Sequence, residues 1–101
     1  MINSYLKAIK VNFASKNYTF ISRAKNVAFM RDNNLDTNDL EDIIFDLSHR
    51  DCIDGPEPDR DGYDGWILEF KSTFIEHMVI YIKIRCNPPN DVIIISFHED
   101  E

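Results

Sequence analysis

The chain has 101 residues, with 11 lysines and arginines against 18 aspartates and glutamates and a net charge of -7. That length bounds it to one domain with one hydrophobic core, spanning residues 1–101. A hydrophobic fraction of 44% suits a folded globular protein, no apolar run approaches the roughly 20 residues of a membrane helix, and no secretory signal is read.

Residues 4–14 set Leu6, Ile9 and Phe13 at helical spacing behind Asn3 or Ser4 as caps, with Lys7 and Lys10 on another face. Past Ser15-Lys16-Asn17, the residues Ile21, Ala24, Val27 and Ala28 form a second helical stripe running to Asp32. The first 31 residues carry Lys7, Lys10, Lys16, Arg23, Lys25 and Arg31 and no acid, so they hold +6 while the remainder holds -13. This asymmetry suggests a polyanion or an acidic partner at one end; the alternative is a solvated helix surface. A third helix follows, with Leu40, Ile43, Ile44 and Leu47 at i, i+3, i+4, i+7. Either Asp36 or Thr37 caps it, while His49 and Arg50 in its last turn suit the dipole.

Asp54 to Gly65 holds all three glycines and two of the four prolines, and reads as a long loop. Trp66, Leu68 and Phe70 then alternate with Ile67, Glu69 and Lys71 as the first strand. A turn over Ser72 to Glu76 leads to a hairpin, Met78 to His98, closed by Asn87-Pro88-Pro89-Asn90. In its first strand Met78, Ile80, Ile82, Ile84 and Cys86 share the core face, and Val79, Tyr81, Lys83 and Arg85 the other. In its second, alternation assigns Ile93, Ile95 and Phe97 to the core and Val92, Ile94, Ser96 and His98 to the opposite face. Helices first and strands last predict an α+β fold, with amino-terminal helices on one face of a carboxy-terminal antiparallel sheet. Tyr81, Lys83, Arg85, Ser96 and His98 then gather on the open face.

The chemistry-bearing motifs narrow the field. Cys52 and Cys86 form no CxxC, favouring reduced thiols in a cytoplasm. Asp59, Asp61 and Asp64 match a calcium loop poorly, because Tyr63 stands where the pattern needs Asp or Asn, so neither metal nor cofactor is expected. GxSxG, Walker and zinc-ligand patterns are absent from the sequence.

The ordered set Gly55-Pro56-Glu57-Pro58-Asp59-Arg60-Asp61, Trp66, Tyr81-Ile82-Lys83-Ile84 and Ile95-Ser96-Phe97-His98-Glu99 resembles the signature of MqsR-type toxins, within the wider RelE-like toxins of bacterial toxin-antitoxin systems. The resemblance extends over nearly the whole chain. It implies a RelE-like α+β domain that cleaves messenger RNA, free or on the ribosome, and is neutralised by a cognate antitoxin protein. Activity in that family is attributed to a lysine after the third helix, a glutamine beside the tryptophan, the tyrosine of the YIKI-like strand and a basic residue closing the last strand. The last two fall on Tyr81 and His98; the glutamine position falls near Ile67 and the lysine position near Asp54, so two of four depart.

A metal-independent RNase must deprotonate a 2'-hydroxyl, stabilise charge on phosphorus and protonate the departing oxygen. A histidine, with a reference pKa of about 6.5, suits His98 to acid or base work near neutrality. Tyr81 is then expected to hold or protonate a phosphate oxygen, and Lys83 or Arg85 to neutralise transition-state charge. Arg60, Arg85, Lys7 and Lys10 are the expected substrate contacts, the basic helices attracting RNA while the acidic loop faces the partner. The 2'-hydroxyl requirement implies RNA and not DNA. Each residue also has a plainer reading: Tyr81 covering the sheet, Lys83 and Arg85 pairing with Glu69, His98 fraying at the terminus. The competing function is a non-catalytic binding module that keeps the fold and the antitoxin partner, which Asp54 and Ile67 favour.

Overall fold

The computed structural model describes residues 1–101. Its elements run α1 (Ile2–Ala14), β1 (Thr19–Phe20), α2 (Ala24–Asp32), α3 (Thr37–Asp46), a 3₁₀ turn (His49–Asp51), then β2 (Cys52–Pro58), β3 (Trp66–Ser72), β4 (Ile80–Asn87) and β5 (Asp91–Glu99). The strands form one sheet in the order β1-β5-β4-β3-β2. This is an α+β fold, and no helix is long and apolar enough to cross a membrane. The sheet is mixed rather than antiparallel throughout, because the two residues of β1 pair parallel to β5. Alternation cannot reveal so short a strand.

The core lies between one face of the sheet and the helices. Leu6, Ile9 and Phe13 of α1 and Leu40, Ile43 and Ile44 of α3 meet Leu68, Phe70, Ile80, Ile82, Ile84 and Phe97 in one cluster. Burial of such side chains stabilises by about 1.5–3 kcal/mol each. Helix α1 begins earlier than its pattern suggests, so Asn3 and Ser4 lie inside it and neither caps it. For α3 the cap is Asp36, which accepts from the Asp39 N–H at 3.0 Å while Asp39 accepts in return from the Asp36 N–H at 2.8 Å. His49 and Arg50 lie outside α3, in the 3₁₀ turn that Ser48 and Asp51 cap. Behind α3, the buried Glu41 accepts from Lys16 Nζ and from the Tyr18 hydroxyl, and Tyr18 stacks on Phe13 with centroids 3.9 Å apart.

Three expectations give way to local chemistry. The Asp54–Gly65 segment is loop only from Asp59 onward, since Gly55 to Pro58 complete β2, an edge strand with two register shifts against β3. An edge tolerates prolines because half of its N–H groups need no partner. Helix α2 buries Asn26 and Phe29, while Val27 stays exposed. In β5 the buried residues are Val92, Ile94, Ser96 and Phe97, with Ile93 and Ile95 on the open face. The reason is a bulge: Ile84 pairs with Ile94 and Lys83 with Ser96, so Ile95 is an extra residue that inverts the alternation.

Candidate functional site

The open face is a grid built by three neighbouring strands. Across β3, β4 and β5 the register sets Lys71, Tyr81 and His98 in one row, Glu69, Lys83 and Ser96 in the next, and Ile67, Arg85 and Ile93 in the third. Tyr81 and His98 have ring centroids 5.4 Å apart. The Nδ1 of His98 lies 2.9 Å from the Glu99 carbonyl oxygen, an acceptor that matches an Nδ1–H donor and leaves Nε2 outside this contact.

Tyr81 donates its hydroxyl to Glu69 Oε1. Burial first, then this hydrogen bond and the Glu69 charge, push the phenol well above its ordinary pKa. A phenol so held is a poor proton donor; its hydroxyl fixes the Glu69 carboxylate, and its ring lies beside the His98 imidazole. Lys71 is paired with Asp100 at 3.1 Å, whereas Lys83 has no ion-pair partner within 4.0 Å. Of the lysines and arginine on the grid, Lys83 is therefore the one without a direct ion pair, although carboxylates surround it in the adjoining concavity.

The other expected contacts separate from this row. Arg85 pairs with Asp59 at 3.1 Å, both side chains are largely buried, and its guanidinium lies 4.5 Å from the Tyr63 ring centroid. It anchors the loop after β2 rather than standing open to a substrate. Asp59 is held well below the usual carboxylate range by the Asp61 N–H first and then by Arg85. Lys7 and Lys10 belong to α1, on the core side of the sheet, so they do not reach the grid; Lys10 donates to the Leu47 carbonyl on the α3 side. Arg60 comes nearer, on the wall of a concavity of about 260 Å³ that also takes in Asp54, Glu57, Asp59, Asp61, Ile67, Glu69 and Lys83. Five carboxylates face two cations there, an arrangement that suits a cationic group better than a phosphate. Asp54 and Ile67, the two positions that depart from the resemblance, both lie in this concavity.

Three participants escaped sequence reasoning. Glu69 was read as a cross-strand partner of Lys83 or Arg85, but it accepts instead from Tyr81, through a diagonal contact between β3 and β4, and Arg85 pairs with Asp59. Arg23 reaches across from the start of α2 to the Ile95 carbonyl at 3.4 Å and Ser96 Oγ at 3.3 Å, covering Ser96. Asn26 bonds three backbone groups of two segments, and nothing in its local pattern signals this. No protein-family model matches the chain, and neither a curated protein nor a solved structure matches it.

Proposed function

We propose that this chain is a RelE-like toxin of the MqsR type, a metal-independent endoribonuclease that cuts messenger RNA and is neutralised by a cognate antitoxin. The observation that carries the reading is the row formed by His98 and Tyr81 beside unpaired Lys83, on a solvent-facing sheet surface. His98 Nε2 accepts the 2'-hydroxyl proton as the oxygen attacks phosphorus. Lys83 faces the non-bridging oxygens, and the departing 5'-oxygen takes a proton from water at the open surface. Tyr81 holds Glu69 and the imidazole in place. The two positions that match the resemblance, Tyr81 and His98, share one row, while Asp54 and Ile67, which depart from it and favour the binding module, lie in the adjoining concavity.

The test is cleavage of a long unstructured RNA by purified protein in EDTA, with and without ribosomes, beside His98→Ala and Tyr81→Phe. Loss of an acid or base costs about 10² to 10⁴ in rate, so His98→Ala should abolish visible cutting. Tyr81→Phe, which keeps the ring and removes only the bond to Glu69, should lower the rate less. Intact RNA under every condition refutes the enzyme reading. The five carboxylates of the concavity then favour the second reading, a protein-binding module whose partner inserts a basic side chain among Asp54, Glu57 and Glu69.

A further inference from the structure

We infer that Asn26 is a positioning residue: by holding the one-residue bulge in β5, it decides on which face of the sheet His98 lies. Strand β5 pairs with β4 along one edge, but along the other its strand partner ends at Phe20, and past the Ile21 N–H no backbone continues the pairing. The Asn26 carboxamide continues the missing strand. Its oxygen accepts from the Phe97 N–H at 3.0 Å, and its NH₂ donates to the Ile95 carbonyl at 2.9 Å and to the Ile21 carbonyl at 3.0 Å. A primary amide offers one acceptor and two donors, and here all three are used by a side chain only 1% exposed.

The bulge needs this clamp for a specific reason. Ile94 O accepts from the Ile21 N–H at 3.0 Å, and Ile95 O accepts from Asn26, so two successive carbonyls point to the same edge. A regular strand sends successive carbonyls to opposite edges; the extra residue turns the second one round. Without Asn26, that carbonyl keeps only the long 3.4 Å contact from the Arg23 guanidinium and the Phe97 N–H is left unsatisfied beside the core, and a one-residue slip would relieve both. The slip carries Phe97 out of its contacts with Phe20 and Phe29, at 6.3 and 5.7 Å between centroids, and moves His98 off Tyr81. The inference rests on the ribonuclease reading only for what His98 does, not for where it lies.

Three variants test it: Asn26→Ala, deletion of Ile95, and the two combined. Deleting Ile95 leaves Ile94 opposite Ile84 and Ser96 opposite Lys83 in unbroken alternation, so His98 should stay on Tyr81 without the clamp. The primary readout is NMR: cross-peaks between the His98 and Tyr81 rings, and exchange of the Phe97 amide. In Asn26→Ala the cross-peaks should vanish and Phe97 exchange should quicken by about 10- to 100-fold, while the combined variant should restore the cross-peaks. Cross-peaks that survive Asn26→Ala overturn the inference, and so does a combined variant that folds without them. Should Asn26→Ala fail to fold, the combined variant decides, since only the register account expects deletion of Ile95 to rescue it; failure of both to fold counts against the account. RNA cleavage read on the same variants keeps the two ideas apart. If wild-type protein leaves RNA intact, the enzyme reading falls while the cross-peaks still judge Asn26.

Discussion

Replacing Gly55 and Gly62 separately by alanine discriminates between two costs that usually come together. Both glycines sit at positive φ, +89° and +83°, where an L side chain is strained. A Cβ on Gly62 meets nothing within 4 Å, so Gly62→Ala carries the backbone term alone, about 1–2 kcal/mol. A Cβ on Gly55 would stand 2.2 Å from the Ile67 carbonyl oxygen, more than an ångström short of ordinary contact; the Cβ is fixed rigidly to its own backbone and the atom it meets is backbone. Relief requires β2 to move away from β3 and lose ladder bonds on the way. Adding one or two such bonds at about 1 kcal/mol each, plus the strain, gives roughly 3 kcal/mol for Gly55→Ala. Urea unfolding resolves the difference: with a slope of about 1–1.5 kcal/mol/M for a domain this small, the midpoint should fall by about 2–3 M for Gly55→Ala and about 1 M for Gly62→Ala. Equal midpoints would refute the claim that the glycine of the GPEPDRD segment is required by strand pairing rather than by turn geometry.

Alkaline titration followed at 295 nm should show Tyr18 ionising near pH 12, because burial and then the bond to Glu41 disfavour its phenolate, and Tyr81 ionising later still. Both folded-state values exceed the unfolded value of about 10, so their stabilisation is complete below that pH and declines as pH rises through the folded values. A Tyr81→Phe protein should therefore lose less stability between neutral pH and the alkaline range than wild type, measured by urea midpoints; an unchanged slope would argue against the Glu69 bond. On the substrate side, Lys83→Gln should reduce RNA cleavage by about 10-fold or more, since a cation facing a phosphate contributes about 1.5–3 kcal/mol. Lys7→Gln with Lys10→Gln, on the far side of the sheet, should leave cleavage rates unchanged. Equal losses for the two sets would mean that substrate is gathered by α1.

Much of the open face is legible in the sequence. Tyr81, Lys83 and Arg85 alternate with Ile80, Ile82 and Ile84 in β4, a central strand with one buried face, and there a period of two has a single solution. The same rule misassigned Val92, Ile93, Ile94 and Ile95, because four consecutive apolar residues fit either phase and the bulge at Ile95 reverses it. The same alternation nonetheless puts Ser96 and His98 on the open face, because they lie with Phe97 beyond the bulge, where the period of two is unbroken. The charge of Arg85 was legible, but its use was not: Asp59 arrives from a loop whose path depends on the β2 edge. The basic amino-terminal third was equally plain, yet Lys10 and Lys16 turn out to serve the α3 side, one on the Leu47 carbonyl and one on Glu41.

By itself, the sequence determined the α+β order of elements, the core stripes of α1 and α3 and the two faces of β4, and it narrowed the α3 cap to Asp36 or Thr37, because each depends on contacts within a few residues or on strict periodicity. Tertiary structure alone decided the parallel strand β1, the pairing of Arg85 with Asp59, the burial of Asn26 and the phase of β5. In each of these a polar group is satisfied by a partner dozens of residues away, as Asn26 is by Ile95 and Phe97. No local pattern encodes such a partner, since the requirement arises only when a strand edge is left uncovered by its neighbours.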